Sequence, residues 1–197
     1  MTQGRGSGAR GMTQGRGSGL RSTRRTIVTL VRVLFVCTGN ICRSPTAERL
    51  AIAYADEGGF ELTASSAGTH GLTGHAMDPT AATVLHQLGG ESEGFVARRI
   101  SPRIAEDTDL ILTMTSVHRD AVLTLAPRKL RKTFTLLEAA ALAELSGAKT
   151  IDGIADARAR HTVGTLDIED PYRQEHDTYE RIGEQIAEAL PKVLRLI

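Results

Sequence analysis

The stretch Val31–Pro45, VRVLFVCTGNICRSP, decides how this chain is read. Val31–Val36 is an apolar run broken only by Arg32, too short for a buried helix and typical of a strand covered on both faces. Cys37–Arg43 then reads as a tight loop. Ser44 and Pro45 open a helix, with Ser44 expected as N-cap and Pro45 at the first helical position, where its missing N–H costs nothing. Ala47, Leu50, Ala51 and Tyr54 continue that helix as one apolar face.

Outward from this unit the same alternation continues. Phe60–Ser65 is expected as a second strand, Thr80–Leu88 as a helix ended by Gly89-Gly90, and Asp109–Met114 as a third strand. Ser116–Leu125 reads as helix, Lys132–Leu136 as a fourth strand and Leu137–Leu145 as an Ala-rich helix. Gly147–Ile168 has no decipherable period. A last helix carries Tyr179, Ile182, Ile186 and Leu190 on one face, and Pro191 is expected to kink or end it. Strands alternating with helices predict an α/β fold. It is a single domain over residues 31–197, a four-stranded parallel sheet with helices on both faces and right-handed crossovers. Ligands in such sheets bind beyond the strand C-termini, where a strand passes through a loop into a helix. Cys37–Ser44 lies at such a junction, after the first strand.

Composition narrows the class. The 197 residues suit one domain, and 41% hydrophobic with 24% charged is ordinary for a globular protein. The net charge of +1 conceals an asymmetry. Residues 1–25 hold six Arg and no acid, leaving 18 basic and 23 acidic residues in the remainder. That acidic balance argues against nucleic acid as a partner. Residues 1–25 also contain MTQGRGSG twice and are expected to be a disordered tail, too poor in apolar groups to offset the entropy of ordering. A GxGxxG match at Gly6, Gly8 and Gly11 has no strand before it and no helix after it, so it is not read as a dinucleotide site. Two cysteines five positions apart make no disulfide framework. The run Thr26–Cys37 is read as a buried strand and not a signal peptide, because Arg32 interrupts it and no small-residue cleavage site follows. No membrane span and a cytoplasmic location are expected.

The loop carries the chemistry. A Cys, five residues and an Arg between a strand and a helix N-terminus form a cup for a dianion, with backbone N–H groups pointing inward and the helix dipole adding positive charge. Gly39 is expected to permit a turn that a side chain would hinder. Arg43 can grip two phosphoryl oxygens with its planar fork, a geometry closed to Lys. The same positive field favours Cys37 as thiolate, the nucleophilic form. From the floor of the cup it is placed for in-line attack on phosphorus, giving a phosphocysteine that water then hydrolyses.

Val33–Glu48 (VLFVCTGNICRSPTAE) resembles the active-site stretch of the low-molecular-weight protein-tyrosine-phosphatases, bacterial branch. Ser65–Gly68 (SSAG), Asp78-Pro79, Ala97-Arg98, Asp109–Met114 (DLILTM) and Asp170-Pro171-Tyr172 extend the similarity to about Val31–Ile197. The resemblance implies a small four-stranded parallel domain acting on phosphotyrosine-containing proteins with no cofactor or metal. By position it implies Cys37 as nucleophile, Arg43 as phosphate clamp, and Thr38, Gly39, Asn40, Ile41 and Cys42 as backbone donors. Asn40 and Ser44 would shape the loop, and Asp170 would be the general acid. A proton donor is also demanded by the chemistry, since a phenol of pKa about 10 is a poor leaving group. The residues alone leave both Asp170-Pro171 and Asp78-Pro79 as candidates for that donor, and the resemblance decides for Asp170. Tyr172 is expected to wall the pocket and stack on the substrate ring. The state of association is left open, with a monomer as the working expectation.

Three departures stand out. Phe95 occupies a position where the family often has a His that supports the loop Asn, so Asn40 must be held differently here, with Ser66 as its expected partner. Gly147–Ile168 is longer than in compact members and is expected to be an insertion flanking the pocket. The tail has no family counterpart. Three rival readings are weaker. Zinc would have to join Cys37 and Cys42 to His70 and His75 across too long a gap. Arsenate reduction with a small-molecule thiol would use the same cup. A non-catalytic phosphate-binding module would have lost the nucleophile or the acid, and both are present.

Overall fold

Strand β1 (Val31–Cys37) runs through the middle of the molecule, with Val33–Val36 at most 1% exposed. Side chains alternate across a strand, so Val33, Phe35 and Cys37 enter one core while Leu34 and Val36 enter another on the opposite face. This is the reason for the unbroken apolar run. The computed structural model describes Met1, residues 30–164 and residues 166–197. Apart from Met1, the expected tail over residues 1–25 lies outside the described residues.

After β1 come α1 (Arg43–Gly58), β2 (Leu62–Gly68), α2 (Pro79–Gln87), α3 (Pro102–Glu106), β3 (Leu110–Thr113) and α4 (Ser116–Leu125). A 3-10 turn (Pro127–Lys132), β4 (Thr133–Thr135), α5 (Leu136–Ser146), α6 (Ile151–Arg158) and α7 (His176–Leu194) complete the elements of the described residues. The four strands form one parallel sheet in the order β2-β1-β3-β4. The larger core packs side chains of α1, α2, α5, α6 and α7 against Phe35, Leu112 and Phe134. The smaller packs Ala105 of α3 and Val122 of α4 against Leu34, Val36 and Ile111. Because β2 and β3 flank β1 on opposite sides, β1 ends at the point where the chain reverses its direction of travel across the sheet, the usual place for a ligand. Among the described residues no helix is long and apolar enough to cross a membrane.

Several boundaries differ from expectation for identifiable reasons. The second strand is Leu62–Gly68 instead of Phe60–Ser65, because it pairs residue by residue with β1 from Val31↔Leu62 to Cys37↔Gly68. Helix α1 begins at Arg43, with Cys42 and not Ser44 in the capping position and no side-chain cap at all. The Ser44 hydroxyl is engaged in the loop below it. Helix α2 starts at Pro79, capped by Asp78, whose Oδ1 accepts from the N–H groups of Thr80 and Ala81 at 2.9 and 3.1 Å. Helix α7 runs past Pro191 to Leu194, since burial of Ile182, Ile186, Leu190, Val193 and Leu194 outweighs the one lost hydrogen bond. The short α3 and the 3-10 turn were not foreseen. None of the described residues of Gly147–Ile168 lines the pocket, and the segment meets the site only at its end, where the Ile168 carbonyl accepts from Arg43. The segment's helix α6 packs on α5 and the 3-10 turn, where the Arg158 guanidinium lies 3.8 Å over the Phe134 ring and pairs with Glu138.

Candidate active site

The Cys37–Arg43 loop is shaped from outside. The carbonyls of Cys37, Thr38, Gly39 and Ile41 accept from the N–H groups of Thr69, His70, Leu72 and Asp78 at 2.8–3.0 Å. A peptide unit is planar with its N–H opposite its C=O. Turning those carbonyls outward therefore turns the N–H groups of Thr38, Gly39, Asn40 and Cys42 into the hollow. The supporting segment fits only because Gly68 and Gly71 lack side chains. A Cβ there would meet the Thr38 carbonyl oxygen at 2.4 Å and the Arg98 carbonyl oxygen at 2.2 Å. Gly39, by contrast, is not the residue that needs freedom. A Cβ on it would find only ordinary contacts, the nearest at 3.5 Å, and the left-handed position belongs to Asn40 at φ 59°.

Asn40 is fully buried and uses its whole amide. Nδ2 donates to the hydroxyls of Ser44 and Ser66 at 2.9 and 2.7 Å, and Oδ1 accepts from the Arg98 N–H at 2.8 Å. Its support is thus broader than Ser66 alone. Ser66 in turn donates to Glu48 Oε2. Burial pushes the Glu48 carboxyl up, with Ser66, Arg49 and Arg98 opposing. Phe95 takes no part in this network; it is buried, and the Arg49 guanidinium lies 5.6 Å over its ring.

These bonds fix the roles around the sulfur. Ser44 Oγ already accepts from Asn40, so its own proton is free for Cys37 Sγ, 3.0 Å away. The Asn40 backbone N–H also points at Sγ, at 3.3 Å. Two donors converging on one sulfur are the partners a thiolate takes. Cys42 sits in a different environment. Burial, followed by Asp78 and Cys37, pushes its thiol far above the usual range, with only Arg43 opposing. It is a packed, protonated thiol.

Arg43 is 3% exposed. Its Nη1 donates to the Ile168 carbonyl at 2.9 Å and its Nη2 to Asp170 Oδ2 at 2.5 Å, while buried Nε has no partner among the described residues. One guanidinium therefore joins the cup to the loop that carries Asp170. That loop is an Asx turn, with the Tyr172 N–H donating to Asp170 Oδ1 at 3.2 Å and Arg173 left-handed at φ 64°. The two Asp-Pro candidates differ in position: Asp78 caps α2, and Asp170 is bonded to Arg43 at the hollow.

Cys37, Thr38, Gly39, Ile41, Cys42, Arg43, Asp170 and Tyr172 all line one hollow of about 260 Å³, closed on a further side by His70 and Leu72. Asn40 and Ser44 lie beneath it, fully buried. Sequence reasoning missed Glu48, Arg98, His70, Leu72 and His118. The SSAG and Ala-Arg pairs marked the neighbourhood, but nothing in them said that Arg98 would act through its backbone N–H.

A buried thiol held by donors at the floor of an inward-facing amide cup, at the switch point of a parallel sheet, defines a phosphate-loop protein of the α/β class with a cysteine at its centre. Comparison with known proteins narrows this further. Residues 32–197 match the family model of the low molecular weight phosphotyrosine protein phosphatases. The low molecular weight protein-tyrosine-phosphatase Wzb of Escherichia coli K12 is 38% identical over 167 residues, covering 80% of this chain and 94% of its own. Among solved structures, the low molecular weight protein tyrosine phosphatase of T. tengcongensis superposes with a TM-score of 0.68 at 27% identity, over 85% of this chain and 99% of its own. The YwlE arginine phosphatase, in a variant with a phosphorylated active-site serine, superposes with a TM-score of 0.66 at 26% identity, over 83% and 93%. The chain belongs to the low-molecular-weight protein-tyrosine-phosphatase family and is an enzyme of that type.

Proposed function

We propose that the chain hydrolyses phosphotyrosine in proteins, and aryl phosphates generally, through a phosphocysteine on Cys37. The Cys37 thiolate attacks phosphorus in line with the departing phenolic oxygen, forming the S–P bond as the P–O bond breaks. Inward N–H groups and the Arg43 guanidinium hold the remaining phosphoryl oxygens. Asp170, protonated, gives its proton to the phenolate. As carboxylate it then takes a proton from the water that attacks phosphorus, releasing phosphate and restoring the thiolate. Ser44 and Asn40 hold the sulfur as the thiolate attacks and again as it is released from phosphorus. Ile41, Leu72 and Tyr172 offer apolar surface to the substrate ring. The observation that carries this reading is the convergence of two hydrogen-bond donors on Cys37 Sγ while Asp170 is held across the same hollow by Arg43. A mechanism that needs a free thiolate belongs in a reducing compartment, so the enzyme acts in the cytoplasm.

The test is a substrate panel on the purified protein: a phosphotyrosyl peptide, a phosphoseryl peptide, phosphoarginine, and arsenate with a small-molecule thiol. Turnover of the phosphotyrosyl peptide well above the other three is expected. Preferential release of phosphate from phosphoarginine, or thiol-dependent reduction of arsenate, would overturn the substrate assignment.

A further inference from the structure

His118, in the first turn of α4, is 6% exposed and is not needed for the steps above. Both ring nitrogens are engaged. Nε2 lies 2.9 Å from Thr38 Oγ1 in the cup, and Nδ1 lies 2.9 Å from Thr115 Oγ1, the cap of α4. We propose that His118 is a positioning residue for the phosphate cup, a neutral imidazole protonated on Nε2 that holds the Thr38 hydroxyl so that its own proton is free for an oxyanion in the hollow. The proposal rests on the phosphate-ester reading of that hollow and adds a side-chain donor to its backbone ones.

The tautomer follows from counting protons. Thr115 Oγ1 accepts from the His118 backbone N–H at 3.2 Å. Its remaining proton has His118 Nδ1 as its acceptor. If Nδ1 carried the proton instead, the Thr115 hydroxyl would be left without an acceptor among the described residues. Nδ1 therefore accepts and Nε2–H donates to Thr38 Oγ1. Having accepted that bond, Thr38 Oγ1 retains its own proton, and Thr38 lines the hollow together with Cys37 and Arg43. The reverse tautomer would consume the Thr38 proton and turn only lone pairs toward a dianion. Burial first, and then Arg43, push the His118 imidazole down to about 4, with Asp170 and Asp167 opposing and His70 adding to the fall, so the ring stays neutral during catalysis. The same helix turn is tied to the acid loop, where Asp167 accepts from the Ser116 N–H and hydroxyl at 2.7 and 3.1 Å.

Two measurements test this. Long-range nitrogen-15 NMR of the parent protein at neutral pH should show His118 as the Nε2–H tautomer, and an Nδ1–H ring would overturn the proposal whether or not the protein is a phosphatase. Binding of inorganic phosphate by calorimetry and kcat/KM for p-nitrophenyl phosphate should each fall about tenfold in Thr38→Val and in His118→Leu, the loss of one bond to a charged group. The double variant should be no weaker than Thr38→Val alone, and His118→Gln, which keeps an N–H near the Nε2 position, should recover most of the loss. Additive losses would mean that His118 acts only through packing. Unchanged phosphate binding in Thr38→Val would show that the hydroxyl is not a donor. A parent protein that binds phosphate with this tautomer but turns over no ester would contradict the proposed function and leave the cup assignment standing.

Discussion

Asp170 and Asp78 each precede a proline, and each offers a carboxylate to a site whose chemistry needs one. What separates them is what each carboxylate touches. Asp78 is committed to two N–H groups of α2, whereas Asp170 rests on Arg43 with its side chain half exposed toward the hollow. If Asp170 delivers the proton, Asp170→Asn should slow phosphotyrosine cleavage by about 10²–10⁴-fold. It should slow much less the cleavage of an ester whose phenol is acidic enough to leave unaided. Steady-state rates on the two substrates check this, and equal losses would remove Asp170 from the acid role. Cys37 and Arg43 were legible in the sequence because their relation is local, six positions apart across one strand–loop–helix turn. Asp170 was not legible from residues alone, because its relation to Arg43 spans 127 positions and is set by the whole fold. Gly39 was misread for a related reason. A glycine in a loop suggests freedom, but the left-handed turn went to Asn40, whose amide has three partners in that conformation.

At the scale of elements, each helix start near the site shows what the local sequence could and could not say. Ser-Pro after the loop looked like a cap and a first turn. Ser44 is instead drawn down to Cys37, and α1 goes without a side-chain cap, its first N–H groups left to face an anion. Asp78-Pro79 is a cap of the ordinary kind. Asp78→Ala should therefore lower stability by about 1 kcal/mol, read from urea unfolding, while p-nitrophenyl phosphate turnover persists. A collapse of turnover with stability intact would mean that Asp78 belongs to the chemistry after all. The ends of the second strand were misplaced by two and three residues because register, not composition, sets them: β2 stops at Gly68, level with Cys37, where the chain must leave to support the loop. Gly147–Ile168 was opaque because its helix α6 is short and its contacts are to α5 and the 3-10 turn, neither of which leaves a period in the segment itself.

The whole molecule reports on the buried histidine through its stability. Unfolded, His118 takes up a proton near pH 6.5, whereas in the folded protein burial and Arg43 delay uptake until about 4. Between those values the unfolded state binds more protons, so stability falls as the pH is lowered through that window and is unaffected by this group above it. Glu48 contributes with the opposite sign, its carboxyl being raised in the folded state, so the parent alone would show only the sum. The difference between parent and His118→Gln isolates the histidine. The parent should lose stability more steeply than the variant from pH 6.5 to pH 4, measured by urea unfolding at each pH, and parallel curves would contradict the neutral, buried ring. Both cores converge on β1, and the strand that they hold in place ends at Cys37.

The central claim is that phosphorus is bonded to Cys37 during turnover. The direct measurement is acid quenching of the enzyme during hydrolysis of a phosphotyrosyl peptide, followed by peptide mapping by mass spectrometry, with Cys37→Ser alongside. The expected result is one phosphoryl group on the peptide containing Cys37 in the parent, appearing before free phosphate accumulates, and neither adduct turnover nor ester hydrolysis in the variant. Steady hydrolysis by Cys37→Ser, or a phosphoryl group found on Cys42 or on a histidine instead, would contradict it.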